Sequence, residues 1–187
     1  MEEEIAASPN GSSYTLAMAK ALIVIAQQRY QEKEFSGTRS GLESAGFEIV
    51  VASRDGGLCT SKSDVTQQAD LKLSDVNVDD YDRVAFIGGP GAREYQQNDE
   101  AKRIAREATQ KGKVLGAICI APTILAVAGV LKGKKSTVWN EDGEQAGFIE
   151  GYGATYTGED VTVDGRLVTG NGPEAADEFG KRLAAVA

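Results

Sequence analysis

Val114-Leu115-Gly116-Ala117-Ile118-Cys119-Ile120-Ala121-Pro122 is the stretch on which the fold turns. Val114 to Ile118 is short and wholly apolar, as suits a strand buried on both faces of a parallel sheet. Ile120 to Ala128 follows as a helix, stopped by Gly129. A cysteine between such a strand and such a helix sits on an elbow, lifted out of the sheet and set at a helix N-terminus.

The same alternation runs outward in both directions. Upstream, Ala21 to Ala26 reads as a buried strand, and Glu34 to Ala45 as a helix closed by Gly46. Phe47 to Ala52 is a second strand, and Leu71 to Leu73 a weaker one. Asp82 to Ile87 is a third, ending in Gly88-Gly89-Pro90-Gly91. A helix spans Asn98 to Gln110, with Asp99 and Glu100 suited to the positive end of its dipole. Downstream, Lys135 to Trp139 and Ala154 to Thr157 read as strands. Val161 to Asp164 and Leu167 to Thr169 form a hairpin about Asp164-Gly165, and Pro173 opens the last helix. Strands alternating with helices give a single doubly wound α/β domain with a mostly parallel sheet over residues 20–187. Residues 1–19 read as a flexible or appended leader with no assigned function. In such sheets the site lies at the carboxyl ends of the strands. The segments to weigh are therefore Gln27 to Glu34, Gly88 to Arg93, Cys119 to Pro122, Trp139-Asn140 and Gly170 to Pro173.

Composition narrows the chemistry. The 187 residues carry a net charge of −8, so neither a nucleic acid nor an anionic membrane is an expected partner. Two cysteines, Cys59 and Cys119, make a disulfide framework improbable and favour a reducing, cytoplasmic setting. No apolar run approaches 18 residues, and the acidic start Met1-Glu2-Glu3-Glu4 is unlike a signal peptide. The chain contains no histidine, which excludes Cys-His and Ser-His pairs and His-containing zinc sites. Two cysteines cannot form a Cys-only zinc site either, and neither a metal nor a cofactor is expected.

Each motif has a bland alternative. Cys119 at a helix N-terminus should have a lowered pKa, because the dipole and free N–H groups favour the thiolate; otherwise it is a small buried apolar residue. The Gly88 to Gly91 loop could present backbone N–H groups to an anion or oxyanion, or be only a tight turn. Glu34, at the start of a helix, could merely complement the dipole. Two nucleotide signatures fail. Gly170-Asn171-Gly172-Pro173-Glu174-Ala175 has no βαβ unit after it, and Gly129 to Thr137 does not spell a Walker A loop.

Together these residues resemble the ThiJ/PfpI (DJ-one-like) family of the class I glutamine amidotransferase-like superfamily. The markers are Ala21 to Ala26, Gly46 to Ser53, Phe86-Ile87-Gly88-Gly89, Ala117 to Pro122 and Asp164 to Thr169. The resemblance implies a flavodoxin-like three-layer sandwich, usually a homodimer. It implies that Cys119 is an easily oxidised nucleophile and that Glu34, twelve residues before Gly46, is its protonated acidic partner. It also implies that the amides of Gly89 and Ile120 bind an anion, with Gly88, Trp139 and Asn171 as pocket candidates. Three positions depart from the family. Ile120 stands where peptidase members have histidine, Trp139 where DJ-one-like members have one, and Asn171 where an arginine often precedes Gly-Pro. Peptidase activity is therefore not expected. The expected function is a stress-response, cysteine-dependent enzyme on small carbonyls or other electrophiles, of glyoxalase or deglycase type. The alternatives are a redox sensor or chaperone working through Cys119 oxidation, and another lyase or hydratase, such as an isonitrile hydratase-like enzyme, on the same scaffold.

Overall fold

In the computed structural model, which describes residues 18–187, the first apolar run forms β1 (Lys20–Val24). The chain passes through β2 (Gln28–Tyr30) into α1 (Glu32–Ser44), and Gly46 ends that helix at φ 87°, a left-handed turn suited to glycine. Next come β3 (Glu48–Ser53), a hairpin of β4 (Gly57–Ser61) and β5 (Thr66–Ala69), and the short β6 (Leu71–Lys72). β7 (Arg83–Phe86) precedes the glycine loop and α2 (Asp99–Gln110), whose Ala101 N–H donates to the capping Asn98 side chain. β8 (Val114–Ile118) and α3 (Pro122–Val127) flank Cys119. The remainder is β9 (Lys135–Ser136), α4 (Gln145–Gly151), β10 (Thr155–Tyr156), the hairpin β11 (Val161–Asp164) and β12 (Leu167–Gly170), and α5 (Ala176–Ala185).

Seven strands form the central sheet in the order β11-β12-β8-β7-β1-β3-β6, parallel throughout except for the β11–β12 hairpin. β1 lies between β3 and β7, so the chain leaves it first to one side and later returns to the other. That is the switch point of a flavodoxin-like sheet. Val24 pairs with both Ala52 and Phe86, and Phe86 with Ala117, so the ends of β1, β7 and β8 emerge side by side.

The unbroken apolar runs have a direct cause. In β1, Ala21 and Ile23 face a layer containing Phe35 and Leu42 of α1 and Phe179 and Leu183 of α5. Leu22 and Val24 face the opposite layer, with Ile104 of α2 and Ile124 of α3. Both faces are buried, so no polar alternation survives. α1 and α5 cross almost backbone to backbone: a Cβ at Gly41 would lie 2.5 Å from the Gly180 carbonyl carbon, and one at Gly180 would lie 2.5 Å from the Gly37 oxygen. That crossing seats the helix that carries Glu34.

Several local expectations are corrected. The helix after Cys119 begins at Pro122 rather than Ile120, because the elbow takes up the first residues as a turn. Lys135 to Trp139 is strand only over β9, which pairs with β10 in a separate two-stranded ribbon. Pro173 opens a 3-10 turn, and α5 proper starts at Ala176. The small β2-β4-β5 sheet and α4 are not anticipated by the sequence pattern. The leader expected at residues 1–19 lies outside the described residues except for Met18 and Ala19. Among the described residues no helix is long and apolar enough to cross a membrane.

Candidate active site

β8 delivers Cys119 into the left-handed region at φ 62°, one of three non-glycine residues with positive φ among those described, the others being Arg29 and Asp64. Such a conformation costs about 1–3 kcal/mol and persists only where its surroundings hold it. Here the Cys119 N–H donates to the Gly170 carbonyl at 2.9 Å, and the Cys119 carbonyl accepts from the Trp139 N–H at 2.9 Å. The elbow is therefore tied to the end of β12 and to the loop after β9, and turns the thiol out of the sheet.

Glu34 lies in the first turn of α1 yet is completely buried, so it is not a solvent-facing complement to the dipole. One carboxylate oxygen, Oε2, accepts from the Gly88 N–H at 2.9 Å, and the Gly88 carbonyl accepts from the Gln31 N–H at 3.0 Å. The start of α1 thus clamps both backbone groups of Gly88. A Cβ on Gly88 would lie 2.6 Å from the Cys119 Cβ and 2.7 Å from Glu34 Oε2, so acid and thiol converge on a residue without a side chain. Gly89, at φ 104°, packs as tightly: its Cβ would lie 2.5 Å from the Arg29 carbonyl oxygen. Glu34 Oε1 is buried without a hydrogen-bond partner, and the carboxyl's side-chain neighbour in the site is the Cys119 thiol.

Burial raises the Glu34 pKa to about 7, against the opposing pull of the thiol and the Gly88 amide. Burial and the Glu34 charge push the Cys119 thiol up to about 12, while the Gly89 and Ile120 amides pull it down. A thiol lowered by the helix end alone is therefore not what the fold produces, because burial and a facing carboxylate outweigh the amides. Acid and thiol titrate as a pair. The first proton leaves near neutrality, and the second is held by the repulsion between two adjacent charges. In the singly ionised pair one proton is left between the fully buried Glu34 and the sulfur.

A cavity of about 490 Å³ opens on the thiol, lined among others by Gln31, Lys62, Gly89, Arg93, Ile120 and Trp139. Gly89, Ile120 and Trp139 thus stand with Cys119 at the cavity, and Gly88 and Glu34 support it from beneath. Asn171 does not join them. Its side-chain amide donates to Asp160 at 2.9 Å, and it lines a neighbouring cavity of about 340 Å³ that shares Trp139 and Glu141. Cys59 is fully buried in the core on the α1 side. Lys62, Arg93 and Glu141 are site residues that sequence reasoning does not single out. Lys62 rides the β4–β5 turn, and the run Ser61-Lys62-Ser63-Asp64 is the one signal that could have found it.

The comparisons with known proteins agree with this fold. The DJ-1/PfpI family matches residues 19–186. The chain is 36% identical over 163 residues to an uncharacterized protein of Methanocaldococcus jannaschii, covering 87% of this chain and 79% of that one. It is 30% identical over 152 residues to the deglycase PfpI of Pyrococcus furiosus, covering 81% and 90% of the two chains. The crystal structure of a ThiJ/PfpI domain protein from Brachyspira murdochii superposes with a TM-score of 0.83 at 26% identity, over 89% of this chain and 95% of that one. The family match takes in the cysteine elbow, the glycine loop and the helix that bears the buried acid: the chain belongs to the DJ-1/PfpI family.

Proposed function

We propose that this protein is a cysteine-dependent enzyme of glyoxalase or deglycase type, acting on small reactive carbonyls or their adducts. One observation carries the assignment: a fully buried carboxyl, raised to about 7, converges with a thiol at Gly88. A group that gains and loses a proton near neutrality is what proton transfer requires. The relatives named deglycases, among them the Pyrococcus furiosus protein, support the reaction class.

With methylglyoxal, the Cys119 sulfur adds to the aldehyde carbon and the carbonyl oxygen takes a proton, giving a hemithioacetal. Glu34 as carboxylate removes the proton from that carbon and returns it to the adjacent one, with the negative charge developing on oxygen. The amides of Gly89 and Ile120 face that charge. The result is a thioester, with one carbon oxidised and its neighbour reduced, so no external redox partner is needed. Water then releases the hydroxy acid and restores the thiol. With no histidine in the chain, Glu34 is the acid–base group at hand.

The experiment is direct. The wild-type protein incubated with methylglyoxal should yield lactate, and Cys119→Ser should yield none; absence of turnover by the wild type on methylglyoxal, glyoxal and their amino acid adducts rejects the assignment. A redox-sensor role has one observation in its favour, a partly exposed cysteine with two amides available to a sulfinate. Intact mass after mild peroxide, together with a negative turnover assay, would select it.

A further inference from the structure

We propose that Lys62 makes the Cys119 cavity selective for electrophiles that carry an anionic substituent, a carboxylate within a few bonds of the reacting carbon. This deepens the reading of the protein as a carbonyl-handling cysteine enzyme and rests on it for the word substrate, though not for the test. A neutral three-carbon dicarbonyl leaves most of the 490 Å³ cavity empty and uses none of its charge.

Lys62 is held in place by its backbone. Its N–H donates to the Tyr30 carbonyl at 2.9 Å, tying the β4–β5 turn to the segment that leads into α1. The Ser61 hydroxyl accepts from the Ser63 and Val65 N–H groups at 3.1 and 3.0 Å, and Asp64 closes the turn at φ 62°. The side chain lines the cavity with Cys119, and its charge reaches Glu34, favouring the ionised carboxyl. Three other charged groups stand around it, Arg93, Glu32 and Glu141. Arg93 lies 3.7 Å from Asp142 and is partly neutralised. Glu32 feels Lys62 without forming an ion pair with it, and its buried Oε2 has no hydrogen-bond partner among the described residues. Glu141 lines the cavity on the loop after Trp139. Among the described residues Lys62 makes no ion pair, so its ammonium is the cation left for a ligand. That cation is notable in a chain of net charge −8, which otherwise disfavours anions.

Two near-isosteric alkylating agents separate charge from thiol reactivity. Iodoacetate and iodoacetamide react identically, the sulfur forming a bond to carbon while iodide leaves, but only the first is an anion. Their rate ratio at Cys119 cancels any change in thiolate fraction. A cation a few ångströms from the bound carboxylate in a solvent-connected cavity is worth about fivefold to tenfold. Lys62→Met should lower the iodoacetate to iodoacetamide ratio by that factor, Lys62→Arg should keep it within about twofold, and 0.5 M salt should shrink the wild-type preference. An unchanged ratio in Lys62→Met, or a wild-type ratio insensitive to salt, overturns the proposal. Competition by glyoxylate against methylglyoxal gives the turnover counterpart. A flat ratio with intact turnover sinks only the anionic subsite, and absent turnover with a Lys62-dependent ratio sinks only the enzymatic assignment.

Discussion

Gly88 has no room for a methyl group, and that fact governs the chemistry at the scale of single residues. A Cβ there would press on the Cys119 Cβ, on Glu34 Oε2 and, at 2.9 Å, on the Ile118 carbonyl oxygen. The strand backbone cannot move without breaking pairs with β7 and β12, so the carboxyl and the elbow must give. Gly88→Ala should therefore separate acid from thiol, with methylglyoxal turnover falling at least about 100-fold, the low end of what a positioned acid–base group contributes. Circular dichroism should stay near wild type, and undiminished turnover in Gly88→Ala would show that the convergence is not needed. Cysteine reactivity divides just as sharply. Labelling with a maleimide should fall on partly exposed Cys119 and spare Cys59, which is wholly buried; peptide mapping checks the split.

At the scale of elements, the α1–α5 crossing determines where Glu34 sits. Gly41 is in a helix, where replacement by alanine ordinarily stabilises by about 1 kcal/mol. Here the new Cβ would lie 2.5 Å from the Gly180 carbonyl carbon and 2.8 Å from its Cα, both backbone atoms. The sign should therefore reverse, and Gly41→Ala should destabilise by about 1–3 kcal/mol in a denaturant titration. Stabilisation would mean that the crossing is looser than described. The same elements explain what the sequence discloses. β1, β7 and β8 are legible because burial on both faces leaves wholly apolar runs, and Gly46 marks the end of α1. Cys119 is legible from its place between strand and helix. Glu34 is reached only by counting back from Gly46 within a family resemblance, since nothing local distinguishes it from an acidic residue at any helix start. The β2-β4-β5 sheet escapes because Gln28, Arg29, Thr66, Gln67 and Gln68 are polar and its order comes from backbone pairing. Lys62 escapes with it. The upward push on the thiol is likewise a tertiary effect, the product of burial and of a carboxyl brought from another element.

For the whole molecule, a buried titrating acid makes stability depend on pH. Glu34 has a folded pKa of about 7, above its unfolded value of 4.5, so the folded state holds the extra proton between those limits. Its contribution is complete below the unfolded value and is lost as pH rises through 7, a loss of about 3 kcal/mol by pH 8. Glu34→Gln removes the titration, so the stability of wild type relative to Glu34→Gln should fall by about that amount between pH 4 and pH 8. A flat difference would place the carboxyl in a less desolvated setting than described. From the family resemblance we propose a homodimer, with a light-scattering mass about twice the 19.7 kDa of the chain. The most direct measurement sets two rates side by side in Glu34→Gln at pH 7.5: alkylation of Cys119 by iodoacetamide and turnover of methylglyoxal to lactate. Glutamine keeps a hydrogen-bond donor beside the sulfur but cannot carry a proton between carbons. Alkylation should stay within about tenfold of wild type while turnover falls by about 100-fold or more. Turnover at the wild-type rate in Glu34→Gln would contradict the account, because the proton would then be moving by another route.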